Sequence, residues 1–283
     1  NGLPAALHNL IVRDANLCTF NQSIDIMQPD AVAGSASVTT AILCHGGTST
    51  VTLTGAGGTS PLSYTFNGIT NATGIFTGIP AKAGNIWSIT DANGCGPVTG
   101  TLYVTEPVQL TGSASVTAAI ACNGGTATVT MTANGGTAPI SFTFNGVTNT
   151  TGIFSGIAAG TGYTWSITDA NSCGPVTGIL PVTEPAIITG SASVTVPVPC
   201  NGGTGTVRII GGGGSPPLSY TFNGVTNATG IFTGIPAGNG YLWSVNDANS
   251  CVPAAGTLDV TQPATITGSA SITNAIVCNG GTG

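Results

Sequence analysis

The chain has 283 residues, of which 44 are Gly and 17 Pro, while only 4% are charged and the net charge is −6. Its only Lys and Arg residues are Arg13, Lys82 and Arg208, too few for a footprint on nucleic acid or a polybasic membrane patch. No apolar run approaches the ~20 residues of a membrane-spanning helix.

Glu, Lys, Arg and Gln are scarce, and short runs of Val, Ile, Thr and aromatics recur between Gly- and Pro-rich turns, which predicts an all-β chain. In chain order, Asn1-Gly-Leu-Pro-Ala matches Thr233-Gly-Ile-Pro-Ala, so residues 1–29 read as the C-terminal part of a repeat. The sequence itself then reads as an excerpt from a longer chain. Ala33 opens Ala-Gly-Ser-Ala-Ser-Val-Thr, a phrase that returns with small changes at Thr111, Thr189 and Thr267, each 78 residues from the next. Thr-Phe-Asn-Gly recurs at Thr65, Thr143 and Thr221, and Asp-Ala-Asn-x-Cys at Asp14, Asp91, Asp169 and Asp247. The closing Thr-Glu-Pro at Thr105 and Thr183 becomes Thr-Gln-Pro at Thr261. Three complete units follow, 30–107, 108–185 and 186–263, and residues 264–283 read as the head of a further one.

Within the middle unit, Ala127, Val129 and Met131 alternate with Thr128, Thr130 and Thr132, which predicts a half-buried strand. Asn134-Gly-Gly-Thr is a turn signal, and Ile140, Phe142 and Phe144 form the apolar face of the next strand. Asn145-Gly is a second turn, followed by a short strand at Gly152-Ile-Phe. Tyr163, Trp165 and Ile167 then share one face, and a last strand runs near Gly178–Val182. About seven short strands with one inward Trp predict an Ig-like β-sandwich, repeated as beads on a string. Trp87, Trp165 and Trp243 are expected as core aromatics, since Leu10 takes their place in the leading fragment.

Eight cysteines fall in two registers. Cys44, Cys122, Cys200 and Cys278 each open Cys-x-Gly-Gly, and Cys18, Cys95, Cys173 and Cys251 each close Asp-Ala-Asn-x-Cys. Without a Cys-x-x-Cys spacing, and with only His8 and His45 present, zinc is disfavoured. A regular even set instead points to disulfides in an oxidising compartment. Pairing within units would join Cys44–Cys95, Cys122–Cys173 and Cys200–Cys251 and leave Cys18 and Cys278 to partners outside the sequence. Against this, Ig strand order places the two loops at opposite poles, ~25 Å apart for strands of about eight residues. That separation is beyond disulfide reach and favours staples between neighbouring units, such as Cys44–Cys173 and Cys122–Cys251. Free thiols are the third option.

Catalysis and cofactors find no foothold in the repeat. Neither His recurs, no Ser lies in a Gly-x-Ser-x-Gly elbow, and the acids do not form a glycosidase pair. Asp91, Asp169 and Asp247, helped by Glu106 or Glu184, are calcium candidates, but one Asp per loop reads more simply as an Asx turn. The sequons at Asn21, Asn71, Asn149 and Asn227 read as turn residues, and faces such as Thr128, Thr130 and Thr132 as solvent-exposed β-strand.

Cys122-Asn-Gly-Gly, Gly135-Gly-Thr-Ala-Pro139, Asp169-Ala-Asn-Ser-Cys173 and Glu184-Pro185, taken together, resemble the SprB-type repeat of gliding Bacteroidota. That family implies a long cell-surface adhesin or filament exported by type IX secretion, with no catalytic residue and no defined pocket. The expected partners are neighbouring repeats of the same chain and further copies in a filament, together with a surface or glycan ligand of unspecified identity. The competing expectation is an Ig-like module reading a glycan or protein through loops at one pole. Differences between units are scattered, as at Ile140 against Leu218 and Ala158 against Pro236, which favours the structural shaft.

Overall fold

Alternation in the sequence becomes alternation in burial. Along Thr48–Ala56, Ser49, Val51 and Leu53 point inward, and Thr50 and Thr52 sit between them at the surface of the same strand. The structure, a computed structural model, describes residues 2–282 and contains strands and turns but no helix among them. Two strands form the leading hairpin, β1 (Ala6–Arg13) and β2 (Thr19–Ile26). Seven belong to the first complete repeat: β3 (Ala33–Thr40), β4 (Thr48–Ala56), β5 (Ser63–Phe66), β6 (Ile69–Asn71), β7 (Ile75–Pro80), β8 (Lys82–Thr90) and β9 (Val98–Val104). The second holds β10 (Thr111–Ala118), β11 (Ala127–Asn134), β12 (Ser141–Phe144), β13 (Val147–Asn149), β14 (Ile153–Ile157), β15 (Gly160–Thr168) and β16 (Val176–Val182). The third holds β17 (Thr189–Val196), β18 (Thr204–Gly212), β19 (Ser219–Phe222), β20 (Val225–Asn227), β21 (Ile231–Pro236), β22 (Gly238–Asn246) and β23 (Ala254–Val260).

Each set of seven makes two antiparallel sheets of one topology. The first repeat has orders β3-β4-β7 and β6-β5-β8-β9, and the other two repeat them as β10-β11-β14 with β13-β12-β15-β16, and β17-β18-β21 with β20-β19-β22-β23. Two such sheets face to face are an Ig-like sandwich. The inward residues of the first repeat, among them Val51, Leu53, Phe66, Phe76, Trp87, Ile89 and Val104, form one core. Val207, Ile209, Phe222, Phe232, Val245 and Val260 do the same in the third. Trp87 is buried, whereas Trp165 and Trp243 are half-buried, each indole lying over a glycine (Gly178, Gly256) where a Cβ would collide with the ring. At that sixth strand the first repeat carries the buried Asn85 in place of Tyr163 and Tyr241. Its amide donates to the Lys82 and Leu102 carbonyls and its oxygen accepts from Asn67.

Strand register fixes the two poles of the first sandwich. Thr48 faces Pro80 across β4 and β7, and Lys82 faces Val104 across β8 and β9, so these four residues mark one pole. The Cys44 turn between β3 and β4 lies there, beside the point where the chain leaves for the next repeat; we call it the trailing pole. Ser63 faces Thr90, and Ile89 faces Val98, which puts the Asp91–Cys95 loop at the opposite, leading pole.

The chain packs as two compact units that do not coincide with repeats. One comprises residues up to Gly112 with Ala133–Phe142 and Ser166–Val176; the other comprises Ser113–Thr132, Thr143–Trp165 and residues from Thr177 on. The first thus joins the opening sandwich to the leading-pole loops of the second repeat. In the second, the Cys122 turn and the chain from Thr177 accompany the third sandwich. β1 and β2 pair in register from Ala6↔Ile26 to Arg13↔Thr19 with nearly every residue exposed, and residues 264–282 form no strand.

Phe222 is 1% exposed and its ring centre lies 5.6 Å from Phe232 and 5.3 Å from Tyr241. Phe222→Ala is expected to destabilise the third repeat by about 3–5 kcal/mol, read as a lowered urea midpoint. Ile231→Ala, at a half-exposed edge position, should leave the midpoint nearly unchanged.

Candidate functional site

The most elaborate chemistry in the molecule sits where one repeat meets the next, and it is built from two loops. The first is Cys-x-Gly-Gly. In the opening repeat the Gly47 N–H donates to the Cys44 carbonyl at 2.9 Å, closing a tight turn. Gly46 adopts φ +76°, a left-handed conformation open mainly to glycine, and a Cβ on Gly47 would press on the Cys44 carbonyl. Glu106, from the closing Thr-Glu-Pro, accepts the Gly46 N–H at 2.6 Å with one carboxylate oxygen and meets His45 Nδ1 at 3.2 Å with the other. In the next copy Glu184 accepts the Gly124 N–H at 2.6 Å, while Asn123 donates to the Pro185 carbonyl at 3.1 Å. Gln262 takes the same part for Gly202 at 2.8 Å without a charge.

The second loop is Asp-Ala-Asn-x-Cys. Asp169 is buried, with one carboxylate oxygen accepting the N–H groups of Asn171 (3.0 Å) and Cys173 (2.7 Å) and the other accepting that of Thr137 (2.8 Å). It therefore welds the loop after the sixth strand to the Gly-Gly loop after the second. Asp91 makes the same three bonds to Asn93, Cys95 and Thr59. Asp247 bonds Cys251 and Ser215. Those donors hold all three carboxyls below the usual carboxylate range. For Asp91 the Thr59 N–H leads, and for Asp247 the Cys251 N–H does. For Asp169 burial pushes upward, but the N–H groups of Thr137, Cys173 and Asn171 outweigh it. A carboxylate ringed by N–H donors is the reverse of the oxygen cage that calcium takes, and among the described residues no three His, Cys, Asp or Glu side chains gather round one metal position.

These two loops meet. Cys44 is bonded to Cys173, and Cys122 to Cys251, with Cα atoms 5.5 Å apart in each case. Beside each bond an asparagine reaches across: Asn171 Nδ2 donates to the Leu43 carbonyl at 3.1 Å and to Thr137 Oγ1 at 3.1 Å. Asn249 donates likewise to the Ala121 carbonyl at 2.9 Å and to Ser215 Oγ at 3.0 Å. The link itself is fixed by the Gly136 N–H on the Val108 carbonyl and the Gly214 N–H on the Ala186 carbonyl, both 2.8 Å.

Pairing within units is thereby corrected. Cys44 and Cys95 flank opposite ends of β8, whose nine residues span about 26 Å at ~3.3 Å each, so Cys44–Cys95 cannot close, and Cys122–Cys173 and Cys200–Cys251 do not form. Cys95 and Cys200 carry no disulfide, and neither do Cys18 and Cys278. The clamp role of Asn171 and Asn249 and the turn-capping role of Glu106, Glu184 and Gln262 are additions to what the sequence reading assigned. Their signal was present, because Asn stands in every Asp-Ala-Asn-x-Cys and Glu or Gln before every closing Pro. Asn71, Asn149 and Asn227 shape turns: each side-chain oxygen accepts two N–H groups and each amide donates to the carbonyl four residues on. On the threonine faces Thr132 is exposed while Thr128 and Thr130 are half-buried, and hydroxyls bond across strands, as in Thr39–Thr52 at 3.0 Å.

No family model matches the chain, and no curated protein does. Among solved structures it is similar to three N-terminal domains of the bacteriophage RB49 highly immunogenic outer capsid protein (12% identity, 82% of this chain and 99% of that one, TM-score 0.39). It is also similar to the N-terminal eight Ig domains of Down syndrome cell adhesion molecule (15% identity, 91% and 40%, TM-score 0.39) and to the I9–I11 tandem of titin (10% identity, 81% and 100%, TM-score 0.31). The chain's own strand order and cores define the class, a tandem array of Ig-like sandwiches with disulfides between consecutive repeats.

Cleavage before aspartate, in denaturant without reductant, checks the pairing. Asp30–Thr90 should stay joined to Asp169–Asn246, and Asp91–Thr168 to Asp247–Leu258; pairing within units would join Asp30–Thr90 to Asp91–Thr168 instead. Acid is a second check. Because the Asp carboxyls titrate lower folded than unfolded, their stabilising effect is complete above pH ~4 and disappears as pH falls through the folded values. Melting temperature should drop below pH ~4, and an Asp91→Asn/Asp169→Asn/Asp247→Asn variant should start lower at pH 7 and show a smaller acid drop.

Proposed function

We propose that the chain is a structural and adhesive segment of a long extracellular protein, carried on a bacterial cell surface and without catalytic activity of its own. The observation that carries this reading is the staple between repeats. Each disulfide spans 129 residues, and on the chain-entropy model closing such a loop is worth about 5 kcal/mol. An enzyme or a lone recognition module has no use for bonds that lock one sandwich to the next, whereas a fibre under load does. Disulfides also belong to oxidising compartments outside the cytosol.

The resemblance to SprB-type repeats supports placing the array on the surface of a gliding member of the Bacteroidota, exported by type IX secretion. Its two signature motifs, Cys-x-Gly-Gly and Asp-Ala-Asn-x-Cys, are the two halves of the staple. Partners on this reading are neighbouring repeats, with ligand recognition left to other parts of the full protein. The sparse charge of the chain removes repulsion between adjacent fibres and leaves trypsin few sites.

Electron microscopy of the native, unreduced assembly tests the reading. Threads one sandwich wide on the cell surface, which become more flexible after reductant, are the expected result. A thick fibre with several chains in cross-section would replace the stalk with a filament subunit, and soluble monomeric material would overturn both.

A further inference from the structure

We propose that the Cys44–Cys173 staple is a redox-active site, opened by a dithiol reductant with His45 as its proton shuttle, while Cys122–Cys251 is a purely structural bond. The inference stands on a difference between the two closed junctions and not on the adhesive role.

The junctions share most of their contacts. Each has its disulfide, an asparagine amide on the carbonyl before the turn cysteine, a glutamate on the turn glycine, and a glycine N–H on the link. They part at the residue after the turn cysteine. In the second junction Asn123 gives its amide to the Pro185 carbonyl at 3.1 Å and has no proton to exchange. In the first that residue is His45, half-exposed, with Nδ1 at 3.2 Å from Glu106 Oε1. The other oxygen of the same carboxylate takes the Gly46 N–H at 2.6 Å, so backbone fixes Glu106 and Glu106 orients the ring. With Nδ1–H donated to the carboxylate, Nε2 is left to accept a proton.

His45, Cys44 and Cys173 line one open cleft with Pro107 and Val108. Asp169 lines it too, but its oxygens are taken by the N–H groups of Thr137, Asn171 and Cys173. Lys82 opens β8 at the same pole, while Glu106 makes its contacts with Gly46 and His45. Both junctions offer the reduced sulfur an acceptor, since Cys173 Sγ lies 3.3 Å from the Leu43 carbonyl and Cys251 Sγ 3.4 Å from that of Ala121. Access favours the other staple: Cys173 is buried and Cys44 half-buried, whereas Cys122 and Cys251 are both half-buried. Exposure alone would therefore make the second bond the easier to reduce, and the shuttle reverses that order.

The reductant is a small dithiol. One S–H passes its proton to His45 Nε2, and the thiolate attacks Cys44 Sγ, the more accessible sulfur. The Cys44–Cys173 bond breaks, and the departing Cys173 thiolate takes the proton back from the imidazolium. The second dithiol sulfur gives up its own proton, attacks its partner in the mixed disulfide and expels the Cys44 thiolate, which takes up that proton. The dithiol leaves as a cyclic disulfide, having given two electrons and two protons to the protein. A thiol of pKa ~8.5 is only a few per cent ionised at pH 7, so a base at the site can speed the attack by at most about 30-fold.

The test uses the 283-residue chain with its free thiols capped by iodoacetamide. Dithiothreitol is added at pH 7, samples are quenched with N-ethylmaleimide, and peptide mapping follows each bond. Cys44–Cys173 should open about 5- to 30-fold faster than Cys122–Cys251, and the ratio should shrink toward pH ~9, where the reductant ionises unaided. His45→Asn, which installs the residue that Asn123 and Asn201 already place after their cysteines, should bring the first rate down to the second or below it. A second staple that opens as fast as the first in the unaltered chain would overturn the inference. So would a ratio that His45→Asn leaves unchanged, or one that stays constant across the pH range.

Discussion

A single carboxylate per repeat sets the geometry on which the rest depends. Asp91, Asp169 and Asp247 lie at the end of the sixth strand, and their oxygens tie that strand's outgoing loop to the loop after the second strand. The loop would otherwise be a free Asn-x-Cys segment on glycine-rich backbone, costly to order. With the carboxylate in place, the asparagine amide and the cysteine sulfur of the second and third repeats both point out of the pole, at the spacing that the preceding turn requires. Core packing makes each sandwich; the carboxylate makes it attachable.

This division of labour suits a chain so poor in charge. Surface ion pairs contribute little in any case, and the contact of His45 with Glu106 stands beside the Cys44 turn, where the Gly46 N–H already holds the same carboxylate. Gln262 keeps the Gly202 bond without any charge. Rigidity comes from hydrogen bonds to backbone groups and from covalent bonds, neither of which salt screens.

Sandwich, strand count and inward faces were legible in the sequence because a half-buried strand must alternate: Val51 and Leu53, or Val207 and Ile209, could not be arranged otherwise. The period was legible because the motifs recur almost verbatim. Cysteine pairing was legible only through the expected fold: both registers carry the same 78-residue spacing, and favouring staples over pairing within units required the pole at which each loop emerges. Only strand order supplies that, through contacts such as Lys82 with Val104 and Ile89 with Val98. All three tryptophans rest on a glycine of the seventh strand, Gly100, Gly178 and Gly256; Trp87 is buried, and Trp165 and Trp243 are half-buried, the latter packed against the third core.

The two disulfides overlap along the chain, and this changes what happens to an array that is pulled. Tension arriving at Cys44 crosses to Cys173, runs backward to Cys122, and crosses again to Cys251. Only the stretch between Cys122 and Cys173, 51 residues by subtraction (173 − 122), bears the load in the middle repeat, against the 78 of a full period. At about 3.5 Å per extended residue, complete unravelling would yield roughly 180 Å per repeat where an unstapled chain would yield roughly 270 Å. The first and seventh strands, β10 and β16, fall outside this path altogether. They are the strands that a plain tandem of sandwiches would peel first, so the zigzag shields the seams of each bead and leaves the tether short and stiff.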